Sequence, residues 1–172
     1  MRIEPAWRID LRHNYCPPGL LSAVKSWYAS PGFRLLTLHR WTVALRKRGR
    51  LSRAFGMLLW RRSVRTTGCF ISERADLAPG VYFPHPTGIV IGEGVKISRG
   101  AVIYQNVTIG RRALHEPSYP RIGENVIVYP GSIIVGAIVI GDDAVIAANS
   151  VVTLDVAKGV TVAGAPAKVL RT

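Results

Sequence analysis

His85 is the residue of this sequence best suited to chemistry, because it is a titratable ring held between Pro84 and Pro86. The two prolines fix φ on both sides and limit how far the ring can move. An imidazole can take a proton from a hydroxyl group near neutral pH, which is the task of a general base. We therefore predict that His85 activates an alcohol. A structural histidine held by hydrogen bonds is the ordinary alternative.

The elements that must position His85 are short strands, because aliphatic or aromatic residues recur every six positions. The positions that keep this period are Ile71, Leu77, Phe83, Ile89, then Ile91, Ile97, Ile103, Ile109, then Ile122, Val128, Ile134, Ile140, Ile146 and Val152. A period of six fits neither an α-helix nor an alternating strand, and it is typical of stacked coils of short strands. One residue in six should point inward, and each coil should cover the next. His85 is not at an inward position, so we expect its ring to point outward.

The repeats resemble those of the hexapeptide-repeat acyltransferases. The matching stretches are HPTGIVIGEGVKI, VTIG, PRIGENV, AANSVV and AGAPAKV, and YASPGFRLLTLHRWTVAL upstream of them is also similar. Within that group the sequence is most similar to serine acetyltransferases and to exopolysaccharide- or colanic-acid-type O-acetyltransferases. The resemblance implies a mainly β protein, a left-handed parallel β-helix of hexapeptide repeats with a basic N-terminal helical segment. It also implies a homotrimer with coenzyme A bound between subunits.

We expect three parts along the chain. Residues 1–68 form the basic N-terminal helical segment, and residues 69–157 form the β-helix. The six-residue period breaks across residues 111–121, which we expect to form an extruded loop. Residues 158–172 form a C-terminal tail on the coenzyme A side.

The resemblance implies acetyl-CoA as co-substrate, with no tightly bound cofactor. His85 matches the family's catalytic histidine. It would accept the hydroxyl proton while the oxygen attacks the thioester, and it would then return the proton to the CoA thiolate. Because the sequence contains no G-x-S-x-G motif, direct transfer in a ternary complex is favoured over a covalent enzyme intermediate.

Three departures from the serine acetyltransferase pattern bear on the acceptor. In those enzymes an Asp immediately precedes the catalytic His, a second Asp lies fifteen positions before it, and a His precedes the P-[KR]-I turn. Here these positions hold Pro84, Phe70 and Tyr119. A serine ammonium group would find no carboxylate at these positions, so we expect a hydroxyl of a saccharide or glycan precursor as acceptor. Serine O-acetyltransferase is the alternative.

A third hypothesis, from another functional class, is a non-catalytic or metal-binding β-helix such as a γ-type carbonic anhydrase. A catalytic zinc site of that type requires three histidines, and the repeat region holds only His85 and His115. We therefore expect no metal site.

The extruded loop should contribute binding groups, because loops on rigid scaffolds often do so. We expect His115, Glu116 and Tyr119 to contact the acceptor, and Gly110 and Arg111 to contact coenzyme A. For each residue, a solvated surface position is the ordinary alternative.

The C-terminal repeats resemble the part of the family that receives coenzyme A. Ala148, Gly164 and Ala165 are small enough for a pantetheine chain to lie close to the backbone, and Lys168 could pair with a phosphate. No P-loop or G-x-G-x-x-G motif supports an ATP or NAD site.

The net charge of +13 is concentrated in residues 11–72, which contain twelve Lys and Arg residues and no Asp or Glu. Two helices are expected there, at 33–48 and from residue 51 onward, with Phe33, Leu36, Trp41, Ala44 and Leu45 on the apolar side of the first. The apolar sides of these helices would cap the first coil, but capping does not explain why the segment carries twelve cations. We expect residues 33–65 to contact an anionic membrane surface. Nucleic acid is the rival polyanion, and no recognition motif supports it.

The sequence has no N-terminal apolar region typical of a signal peptide and no apolar run of about 18 residues. Its two cysteines form no metal or redox motif. We expect a cytoplasmic protein with peripheral contact at the inner face of the membrane.

Overall fold

The computed structural model describes residues 4–14, 19–113 and 117–171. Four helices precede fourteen short strands. The helices are α1 (Ala6–His13), α2 (Leu20–Ala29), α3 (Pro31–Arg46) and α4 (Arg50–Thr67). The strands are β1 (Phe70–Ile71), β2 (Asp76–Leu77), β3 (Val90–Ile91), β4 (Lys96–Ile97), β5 (Val102–Ile103), β6 (Thr108–Gly110), β7 (Arg121–Ile122), β8 (Ile127–Val128), β9 (Ile133–Val135), β10 (Val139–Ile140), β11 (Val145–Ile146), β12 (Val151–Val152), β13 (Thr161–Ala163) and β14 (Lys168–Arg171).

The strands form three sheets that are the three faces of a coil. Face 1 has the order β1-β3-β6-β9-β12, face 2 has β10-β7-β4-β2, and face 3 has β14-β13-β11-β8-β5. All pairs are parallel except β13 with β14, where the C-terminal residues turn back along face 3. Six-residue positions pair with one another across coils, as Ile91 does with Ile109 and Ile97 with Ile122. The predicted left-handed parallel β-helix of hexapeptide repeats is confirmed.

Two residues in six point inward, not the single one expected from the sequence. The fifth position of the repeat is buried together with the first, as Val95 and Val107 illustrate. Where this second position is serine, its hydroxyl is satisfied: Ser132 and Ser150 both donate hydrogen bonds to the Ala147 carbonyl, at 2.9 and 2.6 Å. Small or β-branched residues recur at this fifth position and are buried there, as Ala101, Val126 and Ala144 show.

The turn between faces 3 and 1 depends on residues with left-handed backbone conformation. Gly88 (φ 64°), Asn106 (φ 57°), Gly131 (φ 73°) and Asn149 (φ 57°) occupy equivalent places in four coils. A Cβ on Gly88 would collide with the side-chain oxygen of Asn106, and one on Gly131 with that of Asn149. Glycine thus provides both the conformation and the room for the asparagine of the next coil.

The helices cover the open end of the first coil. Leu35 and Leu36 of α3 belong to the same buried cluster as Phe83 and Ile71. Gly32 of α3 lies so close to the Phe83 carbonyl that any Cβ would collide with it. This contact joins the start of α3 to the residue that precedes the Pro84–His85 turn.

The two helices expected from the sequence are confirmed as α3 and α4, but the buried side of α3 differs from the expectation. Trp41 is 52% exposed and Ala44 is exposed, whereas Leu38 and His39 are buried. The difference arises because α3 packs on its other sides against α2 and α4 as well as on the coil. Among the described residues, no helix has the length and apolarity needed to cross a membrane.

Candidate active site

His85 lies at the turn between faces 3 and 1, in the first coil, and its side chain is exposed as the repeat predicted. Below it, Phe83 is fully buried and anchors the turn. The chain takes eight positions from Phe83 to Ile91, whereas it takes six from Ile103 to Ile109 in the next coil. The two-residue slip seen in the sequence is therefore an insertion in the turn that carries His85. The amide of Thr87 closes this turn by donating to the His85 carbonyl at 2.8 Å.

Aromatic rings continue down the edge below His85. The His85 and Tyr104 ring centroids are 6.3 Å apart, and Tyr104 stacks on Tyr129 at 5.3 Å with an interplanar angle of 14°. We call this edge the His85 corner; it comprises residues 84–88, 104–106, 129–131 and 147–149. None of these residues is acidic. The corner therefore offers a proton acceptor beside an aromatic, uncharged surface.

Tyr104 and Tyr129 are site residues that the sequence analysis missed. Each directly follows an inward residue of face 3, namely Ile103 and Val128. Pro84 follows the inward residue Phe83 in the same way. Comparing the residues that follow the inward positions of face 3 in successive coils would therefore have placed Tyr104 and Tyr129 beside the His85 turn. Gln105 belongs to the same edge, and its Oε1 is buried without a hydrogen-bond partner among the described residues.

The departures from the serine acetyltransferase pattern are also visible in the structure. Phe70 is 45% exposed and packs edge-on against Trp60, with ring centroids 5.1 Å apart. Pro84 is half-buried beside His85. In the part of the chain that the structure describes, the His85 ring takes part in no ion pair, and its ring neighbour is Tyr104. Pro84 and Pro86 restrict the backbone on both sides of this residue.

Tyr119 of the extruded loop lies at a different edge, between faces 1 and 2. Its ring packs on the backbone of Gly92 and Gly94, and its hydroxyl donates to Glu93 Oε1 at 3.2 Å. The Arg111 guanidinium lies 5.7 Å from the ring centroid. Burial, and then the hydrogen bond to Glu93, raise the pKa of Tyr119, so the phenol remains a hydrogen-bond donor.

An open cleft of about 610 Å³ adjoins Tyr119, and Glu93, Lys96 and Arg121 provide its charged lining. We call the edge between faces 1 and 2 that carries Gly110, Arg111 and Tyr119, together with this cleft, the loop corner. Both signs of charge are present, so the cleft is suited to a polar or zwitterionic molecule. Two of the predicted acceptor-binding residues, His115 and Glu116, lie outside the described residues.

The predicted coenzyme A residues divide between the two corners. Ala148 belongs to the His85 corner, and Gly164 follows it in the next coil, where the Gly164 carbonyl accepts a hydrogen bond from the Val151 amide at 2.9 Å. Ala165 follows Gly164 in the chain, and Lys168 of β14 is the antiparallel strand partner of Ala163 of β13 on face 3. Small residues thus continue below His85 along one edge.

Gly110 and Arg111 are not on that edge. Gly110 ends β6 on face 1 and Arg111 begins the extruded loop, so both belong to the loop corner of the same protomer. The structure of one chain does not bring them together with His85.

The described residues contain no group of three or more His, Cys, Asp or Glu side chains that could hold a metal ion. His39 is buried in α3, where burial first and the Arg40 charge second lower its pKa to about 4. His13 hydrogen-bonds the Ile9 carbonyl in α1 at 3.0 Å. Neither ring joins His85.

Comparison with known sequences supports this assignment of the repeat. The profile of the bacterial transferase hexapeptide family (six repeats) matches residues 119–153. The chain is 36% identical over 141 residues to a serine acetyltransferase of Helicobacter pylori (strain J99 / ATCC 700824), and the match covers 81% of each chain. It is also 36% identical over 141 residues to a serine acetyltransferase of Synechococcus elongatus, covering 81% of this chain and 57% of that one.

Solved structures agree with the sequence comparisons. The serine acetyltransferase of Brucella abortus strain S19 in complex with coenzyme A superposes with a TM-score of 0.86 at 30% identity, covering 96% of this chain and 66% of that one. The soybean serine acetyltransferase complexed with serine superposes with a TM-score of 0.84 at 30% identity, covering 96% and 68%. The similarity includes the helices as well as the β-helix.

Proposed function

Because the chain belongs to the serine acetyltransferase family of hexapeptide-repeat acyltransferases and is an acetyl-CoA-dependent O-acetyltransferase, we propose that His85 is its general base and L-serine its first candidate acceptor. The observation that carries this proposal is the 36% identity over 81% of both chains. The exposed position of His85 on a corner of the β-helix supports its role.

The chemistry is a direct transfer. His85 accepts the proton of the acceptor hydroxyl while the oxygen attacks the thioester carbonyl carbon of acetyl-CoA. The C–S bond then breaks, and the imidazolium returns its proton to the CoA thiolate, so the products are the O-acetyl ester and free coenzyme A. General-base assistance of this kind contributes about 10²–10⁴-fold to the rate.

Serine is placed first because of the comparisons. From the sequence we expected a saccharide, and the relatives support the serine alternative better than that expectation. The loop corner holds a carboxylate, Glu93, with Lys96 and Arg121 beside it. Groups of both signs are what an amino acid requires for its ammonium and carboxylate.

A saccharide hydroxyl is the second candidate, and one observation favours it. The His85 corner holds two tyrosine rings and no acidic residue, whereas Pro84 and Phe70 occupy positions that hold Asp in the family pattern. Aromatic faces suit the apolar side of a sugar ring because they offer a flat surface with a polar tip.

We also propose that the active form is a homotrimer. His85 and the extruded loop lie at different corners of one protomer, so a site that uses both needs a second copy of the chain. In such a site Arg111 and Tyr119 of one copy would face His85 of the next. Sedimentation velocity of the purified chain measures its mass, and a monomer would refute this arrangement.

The acceptor and the base are tested by measuring CoA thiol release from acetyl-CoA with L-serine and, separately, with activated and lipid-linked sugars. We expect serine-dependent release, and we expect His85→Gln to lower kcat by about 10²–10⁴-fold with little change in KM. His13→Gln is the matched control, because it replaces a histidine in α1, outside both corners, and it should retain kcat. Full activity of His85→Gln would refute the general base. Release with a sugar and none with serine would instead select the second candidate.

A further inference from the structure

Helix α4 buries its small residues and exposes its large apolar ones. The buried residues of this helix are Gly56 and Ser63. By contrast Leu51 is 89% exposed, Phe55 is 55% exposed and Leu58 is 62% exposed. These three residues are spaced at i, i+4 and i+7, so they form a single stripe along the helix.

The inner side of α4 is already occupied, so the stripe is not a core face that failed to pack. Gly56 lies against Leu45 and the Thr42 carbonyl of α3. Trp60 donates a hydrogen bond from Nε1 to the Ile71 carbonyl of the first coil, at 2.7 Å. The stripe of Leu51, Phe55 and Leu58 therefore faces away from the protein.

Arginines lie along one side of the stripe and continue it toward the C-terminal end of α4. Arg62 continues it by one turn, and Arg50, Arg61 and Arg65 lie beside it at helical spacing; all four are exposed. No ion pair between described residues includes any of them. We call these four arginines together with Leu51, Phe55 and Leu58 the α4 face.

We propose that the α4 face lies on a bilayer containing anionic phospholipids, with the helix in the plane of the membrane surface. A short apolar stripe flanked by arginines is the pattern of helices that bind at this interface. The occupant follows from charge complementarity: residues 11–72 contain twelve cations and no anion, and among the described residues two of the twelve, Arg12 and Arg40, form ion pairs with acidic residues. An acidic surface neutralises such a field, whereas a second copy of the same basic face would repel it.

Binding of the α4 face to an anionic membrane has consequences that can be measured. Each cation near an anionic membrane raises partitioning by about fivefold at low salt. The attraction between exposed charges weakens as the ionic strength rises. Binding should therefore require anionic lipid, depend on the arginines, and decrease with salt.

The experiment is co-sedimentation of the full chain with vesicles of phosphatidylglycerol and phosphatidylcholine in a ratio of one to two, and with vesicles of phosphatidylcholine alone. We expect binding to the first and little to the second. Arg61→Gln/Arg62→Gln should lower partitioning by about 25-fold. Arg99→Gln/Lys158→Gln removes the same charge from the β-helix and should leave binding nearly unchanged. Leu51→Ala/Leu58→Ala should lower it by about tenfold or more, because it removes apolar surface that would enter the interface.

Any of three vesicle results would overturn the proposal: no binding to anionic vesicles at low salt, equal loss in the two charge variants, or equal binding to neutral vesicles. The same variants are compared by sedimentation velocity. A change of assembly state in Leu51→Ala/Leu58→Ala, with vesicle binding intact, would make the α4 face an interface between copies and would likewise overturn the proposal. Retained acetyl transfer and unchanged circular dichroism show that each variant is folded.

Discussion

Asp10 is the residue that ties the helices to the β-helix, and its removal gives the sharpest stability prediction. Asp10 is 2% exposed, and its carboxylate accepts hydrogen bonds from Arg40 Nε at 2.6 Å, from Arg40 Nη2 at 2.9 Å and from the Gly80 amide at 2.8 Å. Arg40 also donates to the carbonyls of Leu77 and Ala78, at 3.1 and 3.2 Å. One carboxylate therefore holds α1, α3 and the first coil together.

The expected cost of Asp10→Ala follows from what the substitution leaves behind. The Arg40 side chain is only 21% exposed, so its charge would remain largely desolvated without a counter-ion. The Gly80 amide would lose its acceptor as well. Breaking a buried pair by removing one partner costs about 3–5 kcal/mol, a large share of the about 5–15 kcal/mol that stabilises a typical domain.

Urea unfolding followed by tryptophan fluorescence measures this cost, because all four tryptophans, Trp7, Trp27, Trp41 and Trp60, lie in the helices. Glu4→Ala is the matched control. Glu4 pairs with Arg12 at the same 2.6 Å, but the side chains are 36% and 53% exposed. An exposed pair contributes about 0–1 kcal/mol.

A double-mutant cycle with Arg40→Leu completes the test. We expect Asp10→Ala to cost much less in the Arg40→Leu background, because no charge is then left unpaired. The reasoning would be refuted if Asp10→Ala destabilised the protein no more than Glu4→Ala does. Additive effects of the two substitutions would refute it equally.

Three further predictions concern His39, Gly88 and Trp60. The pKa of His39 is lowered from 6.5 to about 4, so protonation favours the unfolded state. The free energy of unfolding should fall by about 3 kcal/mol as the pH drops from about 6.5 to about 4, and this group should not change it above about pH 6.5. Urea titrations above and below this pH range measure the change, and His39→Gln should remove it. Gly88→Ala should cost at least about 1–2 kcal/mol and lower acetyl transfer, because φ is 64° and the Cβ would collide with Asn106; unchanged melting and kcat would contradict this. Trp60→Phe should cost about 1 kcal/mol in thermal unfolding by leaving the Ile71 carbonyl without its donor, and no measurable loss would count against that bond.

The fold was largely predictable because a single physical rule repeats along the chain. An aliphatic residue at every sixth position can be buried only by stacking coils, so Ile91, Ile97 and Ile103 determine three faces at once. The second inward residue of each repeat was missed because small residues such as Ala101 also occur on surfaces. The buried side of α3 was missed because periodicity does not say which of several neighbours a helix packs against.

The site was predictable only in part. The outward direction of His85 followed from its phase in the repeat, and the structure confirms it. The stack of Tyr104 and Tyr129 was not foreseen, because the residues are 25 positions apart and the extruded loop between them hides their common register. The separation of His85 from Tyr119 into two corners follows from the three-sided coil and could have been derived from the same repeat.

The insertion beneath His85 has an implication for how this activity could be transplanted. Between regular six-residue turns the corresponding outward side chains stack on one another, as Tyr104 and Tyr129 do. The pairing of Tyr82 with Val102 makes Pro84 the counterpart of Tyr104, so His85 lies in the part of its turn that the two added residues lengthen. An imidazole introduced by Tyr104→His would therefore take the position that corresponds to Pro84, not to His85. Transferring the activity to another β-helix requires the longer turn as well as the histidine.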